Sequence, residues 1–361
     1  MKIAVYAIAR NEAQFVERFC ESAKGADLVL IADTGSDDGT PDLARQHGAI
    51  VHDIFISPWR FDVARNAALA LVPAEIDICV SLDLDEELQP GWREEIESVW
   101  KEGETTRLRY GFDWGRGIVF QYEKIHARRG YRWHHPCHEY PVPDRIEEVW
   151  AETFKLLVIH KPDNTKSRGQ YLDLLELSIA EEPDDPRNGF YYARELSFHR
   201  RWEEAIAACK RYLALPRAIW ANERCYAMRV MSRCYAELDN YGEAMAWARR
   251  ATAEAPSTRE PWCEVATLAF RMAMWPECFG AAMSALAITH RERLYTCDPA
   301  VWGALPHDLA AIAAWHLGMA SIAIEQGRLA VEKEPGNPRL VENMAWYEGR
   351  KTIATEGAAS G

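Results

Sequence analysis

The stretch "VSLDLDEEL" (80–88) sets four carboxylates, Asp83, Asp85, Glu86 and Glu87, directly behind the apolar run "IDICVSL". Like charges repel, so such a knot destabilises a fold unless a cation neutralises it. A hard divalent cation, Mn²⁺ or Mg²⁺, suits the position, because it takes oxygen ligands and keeps places open for phosphate oxygens. Read as the end of a strand, the segment turns Asp83 and Asp85 to one side, since residues i and i+2 share a face. A metal held there neutralises a departing diphosphate. Taken alone the pair is weak: in a chain with 55 acids a solvated acidic turn has the same spelling.

Further residue types point the same way. Asp33 ends an apolar run in "IADTGSDDGT", where two glycines permit a tight turn and close approach of a ligand to backbone; an ordinary Asp–Gly turn is the plainer reading. "RFDVARNAAL" supplies Arg60 and Arg65, suited to a diphosphate or a base edge, or else to a solvated helix face. No G-x-G-x-x-G follows the first apolar run and no G-x-x-x-x-G-K-[ST] occurs, which disfavours dinucleotide and P-loop chemistry. Between 107 and 132, Arg107, Arg109, Arg116, Lys124, Arg128, Arg129 and Arg132 face only Asp113 and Glu123 as acids, which predicts a local positive patch.

The elements that must position these groups alternate. "KIAVYAIA", "DLVLIAD", "AIVHDIF" and "IDICVSLDLD" read as strands; "EAQFVERFCESAKG", "PDLARQHG" and "RFDVARNAALALV" read as helices, the second with Thr40 as N-cap and Pro41 at its first position. Strands alternating with helices predict a Rossmann-like α/β fold with a mostly parallel sheet, whose ligands lie beyond the carboxyl ends of the strands. From about residue 166 the pattern turns helical, with a period near the roughly 34 residues of tetratricopeptide repeats. "YGEAMAWARRATAEAP" and "ASIAIEQGRLAVEKEP" share small residues and a closing Pro at the same offsets, and "WEEAIAACKRYLALP" is a looser copy. The expected organisation is an α/β domain over 1–165, an all-α repeat domain over 166–350 with an insertion at 291–307, and a disordered tail over 351–361.

With 42 basic and 55 acidic residues the net charge is −13, which disfavours general nucleic-acid or anionic-membrane binding. Nine scattered cysteines without a C-x-x-C read as reduced core residues of a cytoplasmic protein. No apolar run approaches the ~18 residues of a membrane span.

"AIARNEA", "ADTGSDDGT", "RFDVARNAAL" and "LDLDEEL" follow the order and spacing of family 2 glycosyltransferases of GT-A fold, which residues 1–165 resemble. With its repeats the chain further resembles the group that includes the sublancin-type peptide S-glycosyltransferases. The resemblance implies a UDP-sugar donor, a divalent cation and inversion by direct displacement. It implies that the backbone at Ala7 and Ala9 lines the base, that Asp33 reads uracil, that Arg65 lies near the nucleotide, Asp83 near the ribose, and that Asp85 holds the metal. His160, ending "LLVIHKP", matches a position where such enzymes place a histidine on metal or diphosphate. "GYRWHHPCHEYPV" resembles the W…HE element of the subgroup, with Glu139 as general base and His138 as its partner. A zinc site from His134, His135, Cys137 and His138 crowds its ligands too closely for a tetrahedron. A haloacid-dehalogenase-type phosphatase wants Thr or Val where this chain has Glu87. The partners implied are the nucleotide-sugar donor, a macromolecular acceptor held by the repeats (protein side chain, glycan or modified DNA base) and, as an open alternative, a second copy of the chain. The rival reading is a non-catalytic repeat scaffold with a degenerate nucleotide-sugar-binding domain.

Overall fold

A computed structural model describes residues 1–115, 117–162 and 169–358, with 350–358 as backbone alone. Arg116 of the expected patch and the side chains of the expected tail lie outside the described residues. Two compact units emerge: 1–181 with 293–295, and 182–292 with 296–361.

In the first unit β1 (Ile3–Ala9), α1 (Ala13–Ser22), β2 (Leu28–Asp33), α2 (Thr40–Gln46), β3 (Ile50–Asp53), α3 (Phe61–Leu71) and β4 (Ile78–Ser81) alternate as expected. There follow β5 (Glu86–Leu88), α4 (Trp92–Val99), β6 (Arg107–Gly115), β7 (Ile118–Ala127), the β8–β9 hairpin (Tyr131–His134, Tyr140–Pro143), β10 (Trp150–His160) and α5 (Gly169–Glu181). The main sheet runs β3-β2-β1-β4-β7-β6-β10-β5. Four of its seven pairings are parallel; β7 against β4 and β6, and β5 against β10, are antiparallel. Strand β1 is buried on both faces, which explains its continuous apolar spelling. Ile3, Val5, Ala7 and Ala9 pack with Phe15, Val16 and Phe19 of α1, while Ala4, Tyr6 and Ile8 pack with Ala64, Ala68 and Leu69 of α3.

Four expectations change. Asp83 and Asp85 lie in the turn between β4 and β5 rather than on a strand, and they meet different partners; the buried Leu82 and Leu84 anchor that turn. Thr40 does not cap α2: its hydroxyl accepts from Glu12 N (2.8 Å) and donates to Asp38 (2.5 Å), and Gly39 takes the cap with φ 88°. The first unit extends to 181, because α5 packs Tyr171 on Phe61 (6.1 Å) and pairs Glu181 with Arg60 (2.5 Å). Much of the basic patch is taken up internally: Arg107 pairs with Glu148 (2.9 Å), Arg109 with Glu123 (3.2 Å), Arg128 donates to Val72 O (2.9 Å), and Lys124 turns inward, while Arg129 and Arg132 stay exposed.

The second unit is built of helices: α6 (Pro186–Phe198), α7 (Trp202–Ala214), α8 (Ala221–Glu237), α9 (Tyr241–Glu254), α10 (Arg259–Arg271), α11 (Trp275–Ala287), α12 (Leu305–His316), α13 (Ala320–Lys333) and α14 (Pro338–Ala358), with a short 3₁₀ turn at Pro299–Trp302. Ala244, Ala248, Ala266, Ala269, Ala282, Ala310 and Ala313 have no exposed surface, so the helices approach closely. At Gly327 a Cβ would lie 3.1 Å from both Met344 Sδ and the Tyr347 ring, which is why α13 carries a glycine there. The turn joining each pair closes on one left-handed residue: Arg200 (φ 56°), Asp239 (56°), Ala273 (53°) and Gly318 (77°). Eight of the nine cysteines are buried; Cys297 is half-buried.

Candidate functional site

The carboxyl ends of β1 and β2 carry two loops laced into one surface. Ala9 stands in register with Asp33, and Ala7 with Ile31. Thr34 N and Thr34 Oγ1 both donate to Ala9 O (2.9 and 3.0 Å). Asn11, held at φ 54°, donates its N–H to Ser36 Oγ (2.9 Å) and accepts from Asp37 N through its side chain (2.8 Å); Ala13 N donates to Asp38 (3.0 Å). The buried Asp33 carboxylate accepts from Gly35 N (3.0 Å), Ser36 N (2.9 Å) and Ser36 Oγ (2.5 Å), so it shapes its own loop.

Behind this surface lies a chain of buried charge. Arg65, 3% exposed, donates from Nε to Glu139, from Nη2 to Asp83 (2.5 Å) and from Nη1 to Ser81 (3.3 Å), with its guanidinium 4.9 Å from the Trp133 ring centre. Lys124 donates to the other oxygen of Asp83 (3.0 Å) and lies 3.5 Å from Glu86, whose Oε2 accepts from Asp83 N (3.0 Å). Burial opposes every one of these charges, and mutual attraction decides the outcome. Burial works against Arg65 and Lys124, but Asp83 with Glu139, and Asp83 with Glu86, hold both well above their ordinary values. Burial would raise Asp83, yet Arg65 and Lys124 hold it well below the carboxylate range. At Glu86 burial wins and the carboxyl is pushed up to about 7.

Arg65 and Asn66 of "ARN" also fix the β8–β9 hairpin. Asn66 Nδ2 donates to Trp133 O (2.9 Å) and its Oδ1 accepts from Trp133 N (2.8 Å). Trp133 Nε1 donates to Tyr6 Oη (2.8 Å), which lies 3.1 Å from His126 Nε2; His126 Nδ1 lies 2.8 Å from Ala127 O. That order places the proton of neutral His126 on Nδ1 and leaves Nε2 to accept from Tyr6. Glu139 and His138 follow in the hairpin loop, where His135 and His138 adopt φ 78° and 53°. Left-handed backbone at two non-glycine residues stores strain, a mark of positioned loops. Glu139 Oε1 meets Arg65, and Oε2 accepts no hydrogen bond among the described residues.

Asp85 and His160 come together from opposite directions. The antiparallel β5–β10 edge sets Glu86 opposite His160, Lys161 N donates to Asp85 O (2.7 Å), and His160 Nε2 stands 3.4 Å from Asp85 Oδ2. Burial works against the imidazolium, but Asp85 outweighs it and raises the pKa. His160 Nδ1 is buried with no hydrogen-bond partner. Asp83 is already neutralised by Arg65 and Lys124, whereas among the described residues the Asp85 carboxylate pairs with the histidine alone. An oxygen and a nitrogen donor with an orphaned ring nitrogen fit a divalent cation of mixed preference.

The structure thus gathers Asp83, Arg65 and Glu139 into one network, Asp85 with His160 into a pair, and Ala9 with Asp33 at the laced loops, while Ala7 lies wholly buried within β1. Sequence reading assigns Glu86 to the acidic knot and Lys124 to the basic patch, not to this network, and does not single out Tyr6 and His126. Parity along β7 hides Lys124 and His126: a bulge between Tyr122 and Ile125 keeps Ile125 with Phe120 and Tyr122 and turns His126 to Tyr6 on the other face.

Residues 5–155 match the family model of glycosyl transferase family 2. No curated protein matches the sequence. Among solved structures the chain is similar to YrrB, described as a TPR protein with an unusual peptide-binding site (TM-score 0.40, 16% identity, 49% of this chain and 84% of that one). It is also similar to PilF of Pseudomonas aeruginosa (0.39, 12%, 49% and 72%) and to MamA of Desulfovibrio magneticus RS-1 (0.39, 14%, 48% and 89%). The fold class expected from the sequence, a mostly parallel α/β unit followed by an all-α helical region, is the one found. No helix among the described residues is long and apolar enough to cross a membrane.

Proposed function

We propose that the chain is a metal-dependent, inverting glycosyltransferase that moves a sugar from a UDP-sugar to a hydroxyl or thiol of a macromolecule chosen by the helical repeats. The family match of residues 5–155 supports the class, and the convergence of Asp85 and His160 carries the reading. Asp85 and His160 hold the cation, which when bound neutralises the diphosphate as it leaves. Ala9 and Asp33 face the uridine, with Ala7 buried beneath them in β1. Arg65 and Lys124 hold Asp83 ionised in the position expected to face the ribose. Arg65 also fixes Glu139, whose Oε2 takes the proton of the acceptor O–H or S–H. The acceptor atom then bonds to the anomeric carbon, and the bond from that carbon to the diphosphate breaks with its electron pair going to UDP. His138 orients the acceptor side of Glu139.

The test is thermal melting of the full chain with UDP and Mn²⁺ against UDP and a chelator, since a ligand that binds only the native state stabilises it. A rise with metal that disappears in Asp85→Asn supports the reading. Equal shifts with and without metal remove Asp85 and His160 from that role. Binding without turnover across a donor and acceptor panel favours the degenerate scaffold. Glu139→Gln should cost about 100-fold or more in turnover at nearly unchanged UDP affinity.

A further inference from the structure

Strand β6 carries a row of aromatic side chains on one face. Tyr110 and Phe112 have no exposed surface, but Trp114, next on that face, is 47% exposed. It stands where β6 runs out beside the end of β10, since Asp113 is in register with Ile159. Its ring centre lies 4.4 Å from that of His160, inclined 36°, and Phe112 flanks the same imidazole at 6.1 Å. Phe112 is walled in by Phe120 (5.3 Å) and Tyr122 (4.8 Å). Trp114 is the one member of this row that keeps a large apolar surface in water, immediately beside the Asp85–His160 pair.

Leaving an indole half in water forgoes stabilisation that burial would supply, at about 25 cal/mol per Å² of apolar surface. Its place gives that surface a use. A diphosphate neutralised at Asp85 and His160 has its sugar one bond away from the β-phosphate. A pyranose presents a face of C–H groups with slight positive charge, and an indole face is negative, so the two attract when stacked.

We propose that Trp114 is the platform on which the sugar ring of the donor stacks, and hence a determinant of which nucleotide sugar is accepted. The assignment rests on the proposed function, for it needs a sugar nucleotide at Asp85 and His160. It commits to a pyranose with an unhindered C–H face. Through its contact with His160 the same indole also steadies the imidazole, so the test must separate the two roles.

Calorimetric titration of the full chain with Mn²⁺ makes the separation, using UDP, UDP-glucose, UDP-galactose and UDP-N-acetylglucosamine on the wild type, Trp114→Ala and Trp114→Phe. The side chain is half in water, so both variants should fold, and far-UV circular dichroism checks this. Trp114→Ala should weaken the preferred sugar nucleotide about tenfold while leaving UDP within about twofold, and Trp114→Phe should recover most of the loss. An equal loss for UDP and for the sugar nucleotide would mean that Trp114 acts only through His160 and would overturn the platform. Unchanged affinity for all four ligands overturns it as well. If the wild type binds UDP but gains nothing from any attached sugar, the platform fails and the nucleotide site stands. If the wild type binds none of the four with Mn²⁺, the proposed function fails and takes the platform with it.

Discussion

The two units use ion pairs in different ways. In the second, ion pairs join residues about one repeat apart: Arg224 with Glu254 (30 positions), Arg233 with Glu264 (31), Arg249 with Glu277 (28) and Arg339 with Asp308 (31). Between them lies a core largely of alanine. In the first, Arg65 reaches 18 positions to Asp83 and 74 to Glu139, and Lys124 reaches 41 back to Asp83. The repeat array is a sum of neighbour contacts, each replaceable by another like it. The α/β unit ties α3, the β4–β5 turn, β7 and the hairpin loop into one network in which no member has a substitute.

That contrast breaks most sharply at Arg65. Arg65→Met leaves the buried Glu139 without its cation and Asp83 with Lys124 alone, and should lower the stability of the first unit by about 3 kcal/mol. Denaturant unfolding followed by far-UV circular dichroism, dominated by the second unit's helices, should show that unit's transition in place. A single transition displaced as a whole would erase the distinction between the units. A comparable effect is expected from acid. Burial depresses His126 from 6.5 to about 4, so the folded state stays neutral where the unfolded state binds a proton. Its contribution is complete above about pH 6.5 and is lost as pH falls towards about 4, amounting to about 3 kcal/mol. His126→Gln should flatten the pH profile of the first unit over that window and leave the second unit's unchanged.

In the repeats the consequences are local. Ala269→Leu, at a position with no exposed surface, should cost about 2 kcal/mol by overpacking α10 against its neighbours. Ala273→Gly should do the reverse, raising stability by about 1 kcal/mol, because a left-handed turn residue without a Cβ relieves strain. Paired in one chain, the Ala273 and Arg65 substitutions should add, since they lie in different units. Non-additive midpoints would show coupling between them.

How much of this was legible in the sequence follows the same divide. The repeats are spelled by period, so Ala244, Ala248 and Ala251, and Ala323, Gly327 and Ala330, announced their helix contacts in advance. The parallel half of the sheet was equally plain, because β1 is apolar on both faces and Asp33 and the acidic turn follow their strands directly. What the sequence hid is whatever a distant strand supplies. Lys124 looked like one more member of a basic patch, for nothing nearby reveals that β7 inserts beside β4 and turns its lysine onto Asp83. The strand rule failed for Asp83 and Asp85 because β4 ends at Ser81, and the two acids then meet different partners. The boundary near 165 leaves α5 outside the first unit, because its leucine-rich helical spelling reads like the helices that follow and does not reveal the Tyr171 and Glu181 anchors.

The buried cysteines turn this architecture into a clock. Burial pushes Cys79 to about 12 and Cys263 and Cys278 to about 12, so none is a ready nucleophile while its surroundings stay closed. Cys209 lies in α7, Cys225 and Cys234 in α8, Cys263 in α10 and Cys278 in α11; Cys20, Cys79 and Cys137 lie in the first unit. A thiol reagent can mark each only when that stretch of chain opens. Labelling followed by peptide mass mapping would therefore time the opening of individual helices in the unaltered protein. Thiols of the array should react at a spread of rates set by their distance from an end, and those of the sheet at nearly one rate.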